Sequence, residues 1–275
     1  MLRKITLLTA FMAYIVCAQA QGVKFGVHVD PLISFMGSND KKITSDGINL
    51  GLDFGVEMEY YFSDGENYAL TFGANFGLGK GGALKYTDRG ILFPKSTLDN
   101  SAYFNDLNQS AAAALMTGDS LILVPGTSVR YSANYISIPI GLKLRTNELG
   151  DSYMRAFFHL PVASIMIPVS ARAKVDAPQP TETSYEGFYT ASPSKGEVIY
   201  KEIVPFQVML GLGAGVEYSP NEEGGLRLVG GVYYQYGFFD TVKSNLLYDN
   251  ITSTYKENKA TSGFHNIALR VGIIF

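Results

Sequence analysis

The most constraining feature of this sequence is a strict period of two. From Tyr135 to Arg145 the chain places Ile136, Ile138, Ile140, Leu142 and Leu144 on one side, and Tyr135, Ser137, Pro139, Gly141, Lys143 and Arg145 on the other. Successive strand side chains point to opposite faces, so this pattern predicts a β-strand between two different solvents. Beyond residue 21 no apolar run reaches the 18 or more residues that a membrane-spanning helix needs. Alternation takes its place throughout.

The same pattern predicts eight strands, at about 23–33, 48–62, 68–80, 135–145, 153–170, 205–218, 226–239 and 265–275. Phe25, Val27 and Val29 oppose Lys24, Gly26, His28 and Asp30 in the first. Leu50, Leu52, Phe54, Val56 and Met58 oppose Gly51, Asp53, Gly55, Glu57 and Glu59 in the second. The fifth is the least regular, because Pro161 and Pro168 donate no ladder hydrogen bond. Connections alternate in length. Long ones are expected at about 36–47, 81–130, 171–202 and 240–263, and short ones at 63–67, 146–152 and 219–225, where Asp-Gly, Leu-Gly-Asp and Gly-Gly supply turn chemistry.

An even number of antiparallel strands with short turns at one rim and long loops at the other is the pattern of an eight-stranded transmembrane β-barrel. Hydrocarbon offers no water to a free sheet edge, so only a closed sheet crosses it. The rival is a soluble barrel, apolar inside and polar outside. It would leave the outer wall of the third and sixth strands mostly glycine, a poor solvent surface, whereas glycine suits a narrow lumen. The inward set is then Lys24, Asp30, Asp53, Glu57, Glu59, Lys143, Arg145, Arg155, Glu217, Arg227 and Arg270. A one-residue slip would move these into lipid, at about 2–4 kcal/mol for an Arg or Lys at the midplane. Tyr60, Tyr131, Tyr135, Tyr153 and Tyr218 lie near strand ends and are expected in a headgroup belt.

Residues 1–20 read as a cleaved secretory signal peptide, with Arg3 and Lys4 before the apolar stretch 5–16 and Ala18-Gln19-Ala20 at the cleavage site, leaving 21–275 as one barrel domain. Val16 is bulky where lipoprotein processing at Cys17 wants a small residue. Loss of the leader removes the chain's single cysteine and takes Lys+Arg from 22 to 20 against 25 Asp+Glu, a net charge of −5. Disulfides, thiolate metal sites and a nucleic-acid partner are excluded on that basis. Both termini fall on the short-turn side, which is expected to be periplasmic, with the long loops extracellular. Ile267, Leu269, Val271, Ile273 and terminal Phe275 share one face, the form of a C-terminal signal read by the barrel-assembly machinery.

With the strands placed, Val129 to Gly150 resembles the Tyr-x-x-Ile-Pro-x-x-Leu-Lys strand and short turn of the PorT-like outer-membrane β-barrel family of Bacteroidota, carried by Tyr135, Ile138, Pro139, Leu142 and Lys143. Leu210 to Tyr218 resembles that family's glycine-rich sixth strand, and Lys24 to Ile33 its first. The resemblance implies an outer-membrane, non-enzymatic protein that serves envelope interaction or protein secretion, the namesake being an accessory of the type IX secretion system. A barrel that binds a surface or a small apolar ligand with its loops is the alternative.

Histidines are three, His28, His159 and His265. A metal or acid–base site would need them to converge, whereas a polar plug would hold them apart. Ser132 and Ser170 have no histidine beside them in sequence, so no catalytic, cofactor-binding or metal residue is assigned and no cofactor is expected. Ser101 to Met116, with Ala111 to Ala114, reads as a short helix with polar caps, and Asp119-Ser120-Leu121 and Asp240-Thr241-Val242 resemble O-glycosylation acceptors of Bacteroidota.

Overall fold

The computed structural model describes residues 22–62, 66–88, 90–93, 121–123, 125–150, 152–176, 195–220, 225–243, 245–249, 254–258 and 262–275. The expected signal peptide at 1–20 and the expected helix at 101–116 lie outside the described residues. Eight long strands, numbered in chain order, form the structure: β1 Val23–Ser38, β2 Ile43–Tyr61, β3 Tyr68–Tyr86, β4 Ser128–Arg145, β5 Met154–Asp176, β6 Gln207–Tyr218, β7 Arg227–Gly237 and β8 Ser262–Ile274. Each pairs antiparallel with its sequence neighbour, and β1 pairs with β8, so the sheet closes into a ring with no free edge. At the seam Val27 lies opposite Ile273, and Phe275 exchanges backbone hydrogen bonds with Phe25 at 2.8 and 3.1 Å. No described helix is long and apolar enough to cross a membrane.

The predicted faces hold. Outward are Val27, Val29, Phe54, Val56, Ile136, Ile138, Ile140, Leu210, Leu212, Leu269 and Val271, all exposed, while Asp30, Asp53, Glu57, Glu59, Lys143, Arg145, Glu217, Arg227 and Arg270 are buried in the lumen. The outward band on β4 runs from Ile136 to Leu144. At 3.3 Å per residue and a tilt near 40° this band stands roughly 20 Å tall, close to the apolar band of about 25 Å on transmembrane barrels. Pro161 and Pro168 sit where the ladders of β5 shift register, so the missing donors fall at bulges.

Strands β1 to β5 and β8 run further than the alternation predicts, always at the long-loop rim, while β6 and β7 end inside their expected bounds. The first connection is therefore not long: β1 and β2 are joined by residues 39–42 alone. Polarity inverts along this extension. On β4 the outer face passes from Ile136 to Asn134, Ser132 and Arg130, and the inner face from Lys143 and Ser137 to Tyr135, Ala133, Tyr131 and Val129. On β5 the outer face becomes Arg172 and Lys174 and the inner face Ala171, Ala173 and Val175. Above the belt the barrel is thus built like a water-soluble one, because its outside meets water again.

This inversion corrects the headgroup-belt expectation for two residues. Tyr131 and Tyr135 are each 1 % exposed and point inward, while Tyr60 and Tyr218 do stand outside. The second, third and fourth long connections also carry structure. Gly90–Leu92, Leu121–Leu123, Asn245–Asp249 and Thr254–Asn258 form a separate four-stranded sheet joining the second connection to the fourth. Glu197–Val198 adds to β5, and a 3-10 turn follows at Tyr200–Glu202.

Candidate functional site: the luminal charge network

An eight-stranded barrel is only wide enough for side chains to fill it, and glycines on the inner face make room for large neighbours. A Cβ at Gly213 would come within 2.4 Å of the Tyr233 ring, and one at Gly141 within 2.4 Å of His159 Nε2. Between these small residues runs a continuous chain of ions.

At its centre the Lys143 ammonium donates to Glu59 Oε1 at 2.6 Å and lies 2.9 Å from Glu217 Oε1 and 3.7 Å from Glu57 Oε1. Arg145 bridges the same two carboxylates, donating through Nε to Glu217 Oε2 at 2.6 Å and through its terminal nitrogen to Glu59 Oε2. The Tyr61 hydroxyl donates to Glu59 Oε2 at 2.5 Å. Toward the short-turn rim Glu66 accepts from Arg227 and pairs with Lys24 at 2.8 Å. Burial of Glu66 opposes its charge, but hydrogen bonds from Arg227 and Lys24 outweigh it and hold the carboxyl below the usual range.

On the other side Arg270 donates to both Asp30 oxygens, at 2.9 to 3.2 Å, and to Glu57 Oε2 at 2.8 Å, with its guanidinium 4.2 Å from the Tyr233 ring centre. Lys80 closes the series against Asp53 at 2.6 Å. Lys24, Lys80, Lys143, Arg145, Arg227 and Arg270 therefore face Asp30, Asp53, Glu57, Glu59, Glu66 and Glu217, one carboxylate for each cation. Arg155 stands at the rim, paired with Glu148 at 3.2 Å.

Sequence placed every member of this set on the lumen side except Lys80 and Glu66. Lys80 has the wrong parity for the lumen. A bulge between Gly77 and Lys80, with Gly79 at φ +70°, turns it inward. The legible signal was the glycine cluster Gly77, Gly79, Gly81 and Gly82. Glu66 belongs to a turn, where strand parity has no meaning.

The histidines do not converge. His28 Nδ1 lies 3.0 Å from Asp30, and His159 sits between the Thr71 hydroxyl at 2.7 Å and the Tyr233 hydroxyl at 3.2 Å. His265 is on the outer wall, stacked on Phe35. Among the described residues no group of three or more His, Cys, Asp or Glu is arranged to hold a metal ion. Ser132 stands opposite Arg172 across the β4–β5 ladder, and Ser170 is exposed. Thr241 is 2 % exposed, which removes the hydroxyl of the Asp240-Thr241-Val242 pattern from reach of a glycosyl donor and corrects that expectation. Asp119-Ser120 lies outside the described residues.

Next to the network is a cavity of about 20 Å³, lined in part by Asp53, Asn75, Ser137 and His159, room for about one water. Above it the lumen is closed by apolar side chains. Met36, Tyr135, Met166, Met209 and Phe264 pack with Ile199, Ile203 and Val242 from the third and fourth connections, and Ile203 bridges to Val242.

Residues 18–243 match the family model described as outer membrane protein beta-barrel domain. The chain belongs to that family, and its place is the outer membrane. A search of the curated proteins finds no match. Among solved structures the chain is similar to neisserial surface protein A, at 14 % identity and a TM-score of 0.36 over 92 % of this chain and 97 % of that one. It is also similar to the attachment invasion locus protein Ail of Yersinia pestis, at 12 % identity and 0.36 over 92 % and 98 %. A third is the outer membrane protease OmpT from Escherichia coli, at 9 % identity and 0.38 over 92 % and 94 %. Family membership rests on the family match and the closed ring, not on these structures.

Proposed function

We propose that this barrel is a non-conducting, non-enzymatic outer-membrane interaction protein that acts through its long-loop end, in the manner of a PorT-like envelope or secretion accessory of Bacteroidota. The observation that carries the reading is the closed mouth. Ile199, Ile203 and Val242 fold onto the barrel's own apolar plug, and the charged lumen below is filled by ion pairs. A wall that ends in a shaped, loop-built surface serves contact rather than passage.

On this reading residues 1–20 are the cleaved leader, both termini are periplasmic, and the long-loop rim faces the exterior. The assembly machinery engages β8 through the face ending in Phe275. The resemblance of Tyr135 to Lys143 to the PorT-like strand supports secretion-complex proteins as partners.

The test is cross-linked affinity purification of the tagged protein from its own outer membrane. Stoichiometric recovery of secretion-machine subunits is expected. Recovery of the barrel alone would overturn the accessory role, and ohmic current through the purified protein in a planar bilayer would overturn the closed lumen.

One observation favours the alternative, a binding barrel. A groove of about 350 Å³ on the outer wall at the long-loop rim is lined by Tyr236, Phe238, Phe239 and His265 over Gly37 and Gly263, a size and lining that suit a small apolar ligand.

A further inference from the structure

The outward faces of β3, β4 and β5 above the belt carry Lys85, Arg130, Arg172 and Lys174, all exposed. Arg130 stands directly opposite Lys174 across the β4–β5 ladder, and Lys85 lies diagonally beyond Arg130, opposite Ser128 on the β3–β4 ladder. Like charges directly opposite each other destabilise a sheet. The ion pairs among the described residues leave all four cations out. By register the nearest outward carboxylates are Asp176, opposite Ser128, and Asp46 at the β2 bulge. Asp176 stands diagonal to Arg130 and two residues from Lys174, and Arg172 donates to the Gly196 carbonyl at 3.1 Å, so four cations against one carboxylate leave the face net positive and point to an anion supplied from outside.

Its level on the barrel says where that anion comes from. The Arg130 guanidinium donates to the backbone oxygen of Ile48 at 2.5 Å and to Asn49 Oδ1 at 3.0 Å. Ile48 is the last outward apolar residue of β2, 52 % exposed. The guanidinium therefore lies at the upper edge of the apolar belt, where hydrocarbon gives way to headgroups. Long Lys and Arg stems on the same wall bring their charges down toward that edge. Lys85 and Lys174 stand two strand spacings and two residues apart, about 12 Å, wide for one phosphate and suited to a headgroup with two anionic groups.

We propose that the row Lys85, Arg130 and Lys174, with Arg172, is a binding face for an outer-leaflet glycolipid whose headgroup carries two phosphates or equivalent anions. The proposal rests on the reading that the long-loop rim faces the exterior. Bound there, the glycolipid's acyl chains lie along Ile136, Ile138, Ile165 and Ile167, and its anions separate the facing cations.

The test uses the full mature chain, purified in a zwitterionic detergent and examined by native mass spectrometry. Three probes are added separately: diphosphorylated lipid A, the same lipid with its phosphates removed, and phosphatidylglycerol. Wild type is expected to retain the diphosphorylated lipid in preference to the other two. At about fivefold per cation near a charged lipid surface, the triple variant Lys85→Gln/Arg130→Gln/Lys174→Gln should retain it about 100-fold more weakly. Lys41→Gln/Lys195→Gln, two exposed cations off the row, should retain it as wild type does. Heat-modifiable mobility shows that each variant has folded.

Equal retention by the triple variant, or by wild type of either comparison lipid, overturns the proposal. Orientation is checked separately by an impermeant maleimide on whole cells carrying Lys195→Cys. Labelling is expected. Protection from the reagent in intact cells would overturn the outward reading, and with it the outer-leaflet partner, even if the purified protein bound lipid A.

Discussion

Replacing Lys143 with methionine keeps the length of the side chain and removes one charge from a site where it cannot be replaced by water. Its ammonium is 1 % exposed and stands within 2.6 to 3.7 Å of Glu59, Glu217 and Glu57. Breaking a buried pair from one side costs about 3–5 kcal/mol, because the partner stays behind unpaired. Here Arg145 still serves Glu59 and Glu217, and Arg270 still serves Glu57. The expected cost of Lys143→Met therefore lies at the low end, about 3 kcal/mol.

With an m-value of about 3 kcal/mol/M in guanidinium, the folding midpoint should fall by about 1 M. The chain contains no tryptophan, so folded fraction is followed by gel mobility without boiling and by circular dichroism in lipid vesicles. Adding Glu59→Gln to Lys143→Met should recover about 1–2 kcal/mol, since the second change removes the surplus negative charge that the first leaves in the network. A single-variant loss under about 1 kcal/mol with strictly additive double-variant behaviour would refute the reasoning. The network would then be solvated, and the lumen wet rather than packed.

Phe275→Asp places a charge at the end of the outward face of β8, beside the seam with Phe25, and is expected to lower outer-membrane levels while leaving refolding in vitro largely intact. Immunoblots of membrane fractions and refolding yields check the two halves. Gly215→Ala brings a Cβ within 2.1 Å of the Gly230 carbonyl oxygen, a backbone atom that yields only if the ladder moves. A loss of about 1–3 kcal/mol in the same unfolding assay is expected. Glu66 lies in a turn with its carboxyl held below the ordinary value of 4.5. Its stabilising contribution is thus complete above that value and is lost as pH falls through the lower folded value. The midpoint of Glu66→Gln should depend less on pH below 4.5 than that of wild type.

Strand parity carried most of the architecture, and its failures have physical causes. Alternation distinguishes two faces but not which solvent each face meets, so it sets Tyr135 on the inner side without showing that the inner side there is an apolar core, and it says nothing of Tyr131, which lies beyond the predicted strand. Nearness to a strand end suggests a headgroup belt for both, but the belt ends at Ile136 and the barrel continues. Lys80 escapes the parity rule because a bulge inverts it, and only the surrounding glycine cluster marks the place in the sequence. The pairing partners within the lumen were beyond reach for a different reason. Glu59 is 84 residues from Lys143, and Asp30 is 240 from Arg270. Those contacts depend on ring closure and register, not on any local pattern. Connections two and four carry no legible strand pattern because strands of three to five residues are too short to show a period.

The inversion of polarity along β4 and β5 links these observations. A strand with its apolar side outward throughout would suit only lipid, and one with its apolar side inward throughout would suit only water. Here the same continuous ladder does both, and the change at Tyr135 and Ile136 on β4 lies level with the change around Pro168 on β5, its partner by register. That common level fixes the membrane edge within the molecule. Below it the outward apolar band leaves polar groups no place but the lumen, where their charges must balance one for one. Above it the apolar side chains turn inward and can hold loop residues such as Ile199 and Ile203 in a core of their own. The charge-balanced lumen and the apolar core at the long-loop end are two consequences of one change of solvent along the strands.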